Sequence, residues 1–193
     1  DSPIPGYGIE VLEWEAQPTP DSPFIHVNGT IQNLVAELTR LNPHLEADID
    51  AAIRASEQET SANPELAARD LLAKRYDVDG YFCFGRWAAG RLDPLNEGIR
   101  YLRGVGGRPT RGPGPGNCSR VSCSYKTAIY WCNDNSGTKT LNSFGAIADG
   151  VQHLASRCRR FISNGQWSYT ESSGQVFYKD KWNVVVRYDS NNC

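Results

Sequence analysis

Apolar residues recur along this chain with two periods, one near two residues and one near four. They alternate over 8–16 ("GIEVLEWEA") and 23–27 ("PFIHV"), which predicts two strands joined by a Pro-rich loop. Thr30 then caps "IQNLVAELTRL", where Ile31, Leu34, Val35 and Leu38 share one helical face. Asn42-Pro43 stops that helix and opens a second, with Pro43 at its first position and Leu45, Ile49 and Ile53 on its stripe. The stretch "SEQETSAN" reads as polar and structureless. Asn63-Pro64 opens a third helix through Leu66, Leu71 and Leu72.

After residue 75 the pattern changes. "GYFCFGRW" (80–87) predicts an aromatic strand, and Asp93-Pro94 starts a helix carrying Leu95, Ile99 and Leu102. That helix fails at the glycine-rich run "GVGGRPTRGPGPGN" (104–117). "VSCSY" and "AIYWCN" read as one hairpin. Ser143 caps a helix with Phe144, Ile147, Val151, Leu154 and Cys158 on one face. "QWSYT", "GQVFY" and "WNVVVRY" finish as strands, the last two joined by a Lys-Asp-Lys turn. The order β-α-β-β-α-β-β predicts an α+β fold, an antiparallel sheet with two helices on one face. There is no internal repeat, and no apolar run approaches the roughly 20 residues of a membrane helix.

Composition sharpens this picture at one point. The net charge of −2 hides two unlike parts. Residues 1–75 hold 13 acids and 5 bases, net −8, whereas 76–193 hold 9 acids and 15 bases, net +6. The split predicts two units, 1–75 and 76–193, with the acidic one docking on the basic one. The apolar stripes of the small N-terminal unit need another surface to cover them. It is therefore expected to stay associated even if the chain is cut.

All six cysteines, Cys83, Cys118, Cys123, Cys132, Cys158 and Cys193, lie in the basic part. They form no CxxC and match no zinc spacing, which points to three disulfides made in an oxidising compartment. Their spacing leaves 15 pairings open. The start "DSPIPGYG" reads as a mature end left by removal of a signal peptide. "NGT" at Asn28 and "NCS" at Asn117 are candidate glycan acceptors. Lys74-Arg75 falls between the acidic unit and the first cysteine, where a protease cutting after basic pairs would release the disulfide domain. Arg159-Arg160, beside Cys158, is expected to be shielded.

The segments "PGYGIEVLEWEAQPTP…VNGTIQNLVAELTRLNP", "GNCSRVSCSYKTAIYWCNDN" and "WNVVVRYDSNNC" resemble a group of small secreted cysteine-rich fungal proteins. The element order with a terminal cysteine is similar to the killer-toxin-type α/β sandwich of fungal toxins and plant-pathogen effectors, some of which carry kexin-processed pro-domains. The resemblance implies a secreted fungal virulence protein with residues 1–75 as its pro-domain, working in the host apoplast. It implies no reaction.

The residues themselves do not supply one. The glycine-rich run lacks the Gly-Lys-Ser/Thr of a phosphate loop. With Arg103, Arg108 and Arg111 around it and Pro113 and Pro115 within, it reads as a stiff binding loop. No Ser-His-Asp spacing stands out, no metal or cofactor motif is present, and six paired cysteines leave no nucleophilic thiol. His153 falls off the apolar stripe of its helix. The expected function is binding and inhibition of a host protein, with an extracellular or vacuolar defence protease as the first target by analogy. The alternatives are a ribonuclease using Glu97 or Glu171 with His153, and a membrane-active toxin with an exposed apolar helix. Nucleic-acid binding without chemistry is disfavoured, because the aromatics sit where a core would claim them.

Processing at the basic pair would give a new N-terminus at Tyr76. Changing Lys74 and Arg75 to Ala should abolish that cut while the same change at Arg159 and Arg160 leaves it intact. An intact mass alone in fungal culture medium would refute it.

Overall fold

The computed structural model describes residues 2–62, 76–191 and 193. The third helix expected over 64–72 and the pair Lys74-Arg75 lie outside the described residues. A six-stranded sheet forms the centre of an α+β fold, in the order β1 (Gly8–Ile9), β7 (Asn117–Ser124), β8 (Thr127–Asn133), β13 (Trp182–Tyr188), β12 (Gly174–Tyr178), β4 (Val78–Cys83). Neighbours are antiparallel except β1 and β7, which run parallel, so the sheet is mixed where a purely antiparallel one was expected. Tyr125 and Lys126, at φ 46° and 60°, make the left-handed two-residue turn whose twist suits the β7–β8 hairpin.

The single strand expected over 8–16 is two strands serving different sheets. Glu10 N–H still donates to Cys118 O at 2.9 Å, but Leu12 O already accepts from Gly29 N–H at 2.9 Å. Glu13–Ala16 (β2) then pairs with Ile25–Asn28 (β3). Helix α1 (Ile31–Leu41) follows, its start held by Asn33 Oδ1 accepting from Thr30 N–H at 2.9 Å. All four stripe residues are buried.

Helix α2 runs Leu45–Ala62, so Pro43 is not its first residue and "SEQETSA" is helical. The late start comes from Asn42, whose Oδ1 accepts from His44 N–H at 3.0 Å and turns the chain before the helix can begin. The same side chain donates to Pro18 O and to Asp48 Oδ2, tying both helices to the loop before them. The late end reflects good helix formers, Glu57, Gln58 and Glu59, which need no apolar stripe.

Strand β4 stops at Cys83, not Trp87, because Phe84 and Gly85 adopt left-handed φ of 53° and 81°. Helix α3 (Leu92–Gly104) and helix α4 (Gly145–Arg157) pack on each other and on one face of the sheet. Phe144, not Ser143, precedes the first turn of α4, although Ser143 O still accepts from Ala146 N–H. Two small sheets complete the chain: β6 (Thr110–Arg111) pairs with β9 (Lys139–Thr140), and β11 (Ser168–Ser172) lies between β5 (Gly90–Arg91) and β10 (Arg159–Ser163). Strand β10 was not expected.

Both faces of the central sheet are covered. On the helical side Val121, Ile129, Trp131, Val176, Trp182, Val184 and Val186 join the stripes of α1, α2, α3 and α4 in one core. Trp182 stacks on Tyr178 at 3.8 Å, and Trp14 of the N-terminal part stacks on Phe144 at 4.4 Å. On the other side Tyr130, Cys132, Ala128 and Val185 are closed over by Ile4, with Tyr7 and Trp87 packed against them. Residues on both sides of position 75 thus share one core. Specific bonds reinforce it: Gln32 Nε2 to Ser122 Oγ at 2.8 Å, Arg100 to both Glu46 and Asp50 at 2.7 Å, and Tyr7 Oη to Asp134 at 2.8 Å. Burial and the Asp134 bond push the Tyr7 hydroxyl up to about 12.

Three disulfides fasten the basic part: Cys83–Cys158, Cys118–Cys132 and Cys123–Cys193. The second joins directly opposed residues of β7 and β8 and closes only 14 residues. The first, across 75 residues, links β4 to the end of α4. Loop-closure entropy alone assigns the longer loop about 4.5 kcal/mol and the shorter about 3 kcal/mol.

Near the C-terminus, buried Asp189 accepts from Tyr130 Oη and from Asn191 N–H, with Arg120 at 3.4 Å. Burial would raise its pKa, but these donors outweigh it and hold the carboxyl below its usual range. Its stabilisation is therefore present above the unfolded value of about 3.9 and lost as pH falls through the folded value. Asp189→Asn should cost roughly 1.5–3 kcal/mol at neutral pH. In thermal unfolding followed by near-UV circular dichroism, the gap to the unsubstituted protein should close as pH drops below about 4. A gap constant with pH would count against this account.

Candidate binding surfaces

The glycine-rich run is tied down along most of its length. Asn133, fully buried at the end of β8, donates from Nδ2 to Gly112 O and Gly137 O, both at 2.9 Å. Gly116 N–H donates to Asn133 O at 3.0 Å, and Gly114 N–H to Asn135 O at 2.9 Å. A Cβ on Gly114 would sit 2.4 Å from Asn133 O, so the close approach needs glycine there. The loop is stiff because a neighbouring turn grips it, a cause the Pro-Gly alternation did not reveal.

What it presents is narrower than expected. Pro113 and Pro115 are exposed at the tip, and Arg108 is exposed before β6. Arg103 lies on α3 and pairs with Asp149 of α4 at 3.2 Å. Arg111 turns inward: its side chain is 4% exposed, and Nη1 sits 3.0 Å from Glu10 Oε2. Burial lowers its pKa from the usual guanidinium value, and the Glu10 charge opposes the shift. Arg111 therefore holds the N-terminal segment and is not offered to a partner.

The second surface is not foreshadowed by the apolar periodicity. Strands β10 and β11 form a hairpin joined by residues 164–167, with Gly165 at φ 88° and Asn164 N–H donating to Trp167 O at 3.2 Å. Asn164 Oδ1 accepts from the N–H groups of Gln166 and Trp167 at 3.0 Å. The Asn-Gly pair between "RRFIS" and "WSYT" was the signal that could have found it. Trp167 stacks on Tyr169 at 5.4 Å, Arg91 lies 4.8 Å over Tyr169, and Arg160 lies 4.8 Å over Phe84. Arg160 bonds Glu171 from both Nε and Nη2. Phe161 is 68% exposed and Trp167 51%. Arg159 and Arg160, expected to be shielded, are exposed, because β10 lies at the edge of its sheet.

The residues of the ribonuclease alternative sit on three elements, Glu97 on α3, His153 on α4 and Glu171 on β11. Glu171 is committed to Arg160, and His153 packs edge-on against Tyr81 at 4.8 Å. Among the described residues no group of three or more His, Cys, Asp and Glu could hold a metal ion, and no helix is long and apolar enough to cross a membrane. A cleft of about 590 Å³ opens between α2, residues 15–20 and residues 104–107, lined by Phe24, Leu38, Leu45, Asp48, Ile49 and Val105. Three disulfides are compatible with an extracellular protein.

Comparison with protein-family models, with curated proteins and with solved structures found no match.

The two candidate glycan acceptors differ sharply in setting. Asn28 is exposed on β3, whereas Asn117 is buried at the start of β7 beside the fully buried Cys118. In a glycosylating host, folded protein should carry a glycan at Asn28 and none at Asn117. Mass spectrometry should show one glycan lost in Asn28→Gln and no change in Asn117→Gln.

Proposed function

We propose that this chain is a secreted fungal effector of the killer-toxin-type sandwich class that binds and inhibits a host protein. In this reading residues 1–75 are a pro-domain that stays docked after cleavage at Arg75, and the protein works in the host apoplast. The observation that supports it most is the exposure of Phe161 and Trp167 on a hairpin standing outside the core, with Arg159 on the face of Phe161 and Arg160 on the face of Trp167. Trp, Tyr and Arg on a rigid support are the side chains that most often dominate protein interfaces. Three disulfides and the clamped loop supply the rigidity, which lowers the entropy lost on binding. Arg108, Pro113 and Pro115 form a second contact region. The first target class is a host extracellular or vacuolar protease, chosen by analogy.

The test is capture from host apoplastic fluid on immobilised processed protein, with mass spectrometry and direct assay of the captured protease. Combined Phe161→Ala and Trp167→Ala substitution should weaken capture of a specific target by about tenfold or more, with the three disulfides retained. Capture indifferent to hairpin and loop variants would overturn the reading. Hydrolysis of single-stranded RNA that is lost in Glu171→Gln would replace it with the ribonuclease.

A further inference from the structure

We infer that the free edge of β10 accepts an extended acidic peptide segment as an added strand, antiparallel to β10. This inference rests on the protein-binding reading above and names the chemistry of the partner segment.

The sheet order is β10-β11-β5, so β10 has one paired side and one open side. In a strand paired on one side only, alternate residues direct N–H and C=O groups away from the partner, which is a template for strand addition. Among the described residues only β11 bonds the main chain of β10, and every residue of β10 is exposed or half-exposed.

Side chains along this edge come in two kinds. Arg159 and Arg160 occupy its first two positions, on opposite faces, and Phe161 and Ile162 the next two. Arg159 has no ion-pair partner among the described residues. Arg160 bonds Glu171 from Nε and Nη2, which leaves Nη1 for a second carboxylate. Residues 90–91 and 157–172 hold four arginines, Arg91, Arg157, Arg159 and Arg160, against the single acid Glu171. Charge complementarity therefore calls for carboxylates opposite the arginine pair and apolar side chains opposite Phe161 and Ile162. Running antiparallel, the geometry with the stronger ladder, the incoming strand reads apolar-apolar-acid-acid.

Two other occupants fit less well. A single-stranded nucleic acid would need successive open aromatic faces, but Phe161 has no second aromatic on its face of the hairpin, Trp167 is stacked on Tyr169, and Tyr169 is covered by Arg91. A second copy of β10, paired antiparallel about Phe161, would set Arg160 against Ile162 and Arg159 against Ser163. No carboxylate of β10 would meet them.

The experiment is fluorescence anisotropy of the full folded protein with a labelled Thr-Val-Val-Glu-Glu-Thr peptide. Saturable binding is expected, about tenfold or more tighter than for Thr-Val-Val-Lys-Lys-Thr. The reversed Thr-Glu-Glu-Val-Val-Thr should bind more weakly than the parent. Arg159→Glu, a change at an exposed side chain, should reverse the preference between the acidic and basic peptides. Peptides N-methylated at odd or at even positions should differ, with one of the two sets losing binding, since only one set of N–H groups faces the edge.

Equal effects of the two methylation patterns, or no saturable binding, would overturn strand addition. So would tighter binding of a single-stranded oligonucleotide, or a dimer in light scattering that Arg159→Glu alters. If a target is captured through Trp167 while the peptide fails, strand addition falls and the protein-binding reading stands. If the peptide binds as expected but no target depends on the hairpin, strand addition stands and the host-target reading falls.

Discussion

The central sheet must be buried on both faces, and the rest of the molecule is arranged to satisfy that demand. Strands β8 and β13 are buried at nearly every position, with Trp131, Trp182 and Val184 toward the helices and Tyr130, Cys132 and Val185 away from them. Strands of this composition have no face suited to water. Helices α3 and α4 cover one side. The other is covered by Ile4 and Tyr7, and β1 extends the edge beyond β7. The cysteine-free N-terminal segment is therefore part of the core, and the burial of its α1 stripe, at ~1.5–3 kcal/mol per side chain, is its main attachment.

The opposite charges of the two parts become bonds at only a few places. Arg111 with Glu10, and Arg100 with Glu46 and Asp50, are the pairs that join them in the described residues. The Arg100 pairs are half-exposed, so each contributes little once salt screens it. The Arg111 guanidinium is different, because it is buried and would be left without a carboxylate if Glu10 were removed. Apolar packing, more than charge, holds the two parts together.

The β10–β11 hairpin stands apart from this logic. Its aromatic side chains are not taken up by the core, and among the described residues no other element pairs with its β10 edge. The adjacent arginines discourage pairing with an identical edge, which protects an open strand from self-association. The same two charges select an acidic partner, so protection and specificity come from one feature.

The periodicity alone located α1, α3, α4 and the strands β7, β8, β12 and β13, because each carries a continuous apolar pattern or a strong turn signal. The cysteine count implied three disulfides, while the pairing depended on which strands became neighbours. The division of 8–16 into β1 and β2 was invisible locally, since alternation looks the same whichever sheet receives it. Arg111 read as a surface loop residue because only tertiary structure places Glu10 beside it. Asn117 read as a glycan acceptor because burial is not written in three residues. "QWSYT" read as a strand, but β10 and its pairing with β11 were missed even though Asn164-Gly165 marks the turn of their hairpin. Its strands lack an apolar face toward a core, and that want of a covered face is what leaves Phe161, Trp167 and the β10 edge open to a partner. Local sequence determined where the chain could bend and which faces were greasy. Which surfaces remained uncovered was decided by long-range packing, because exposure depends on every element that could have covered them.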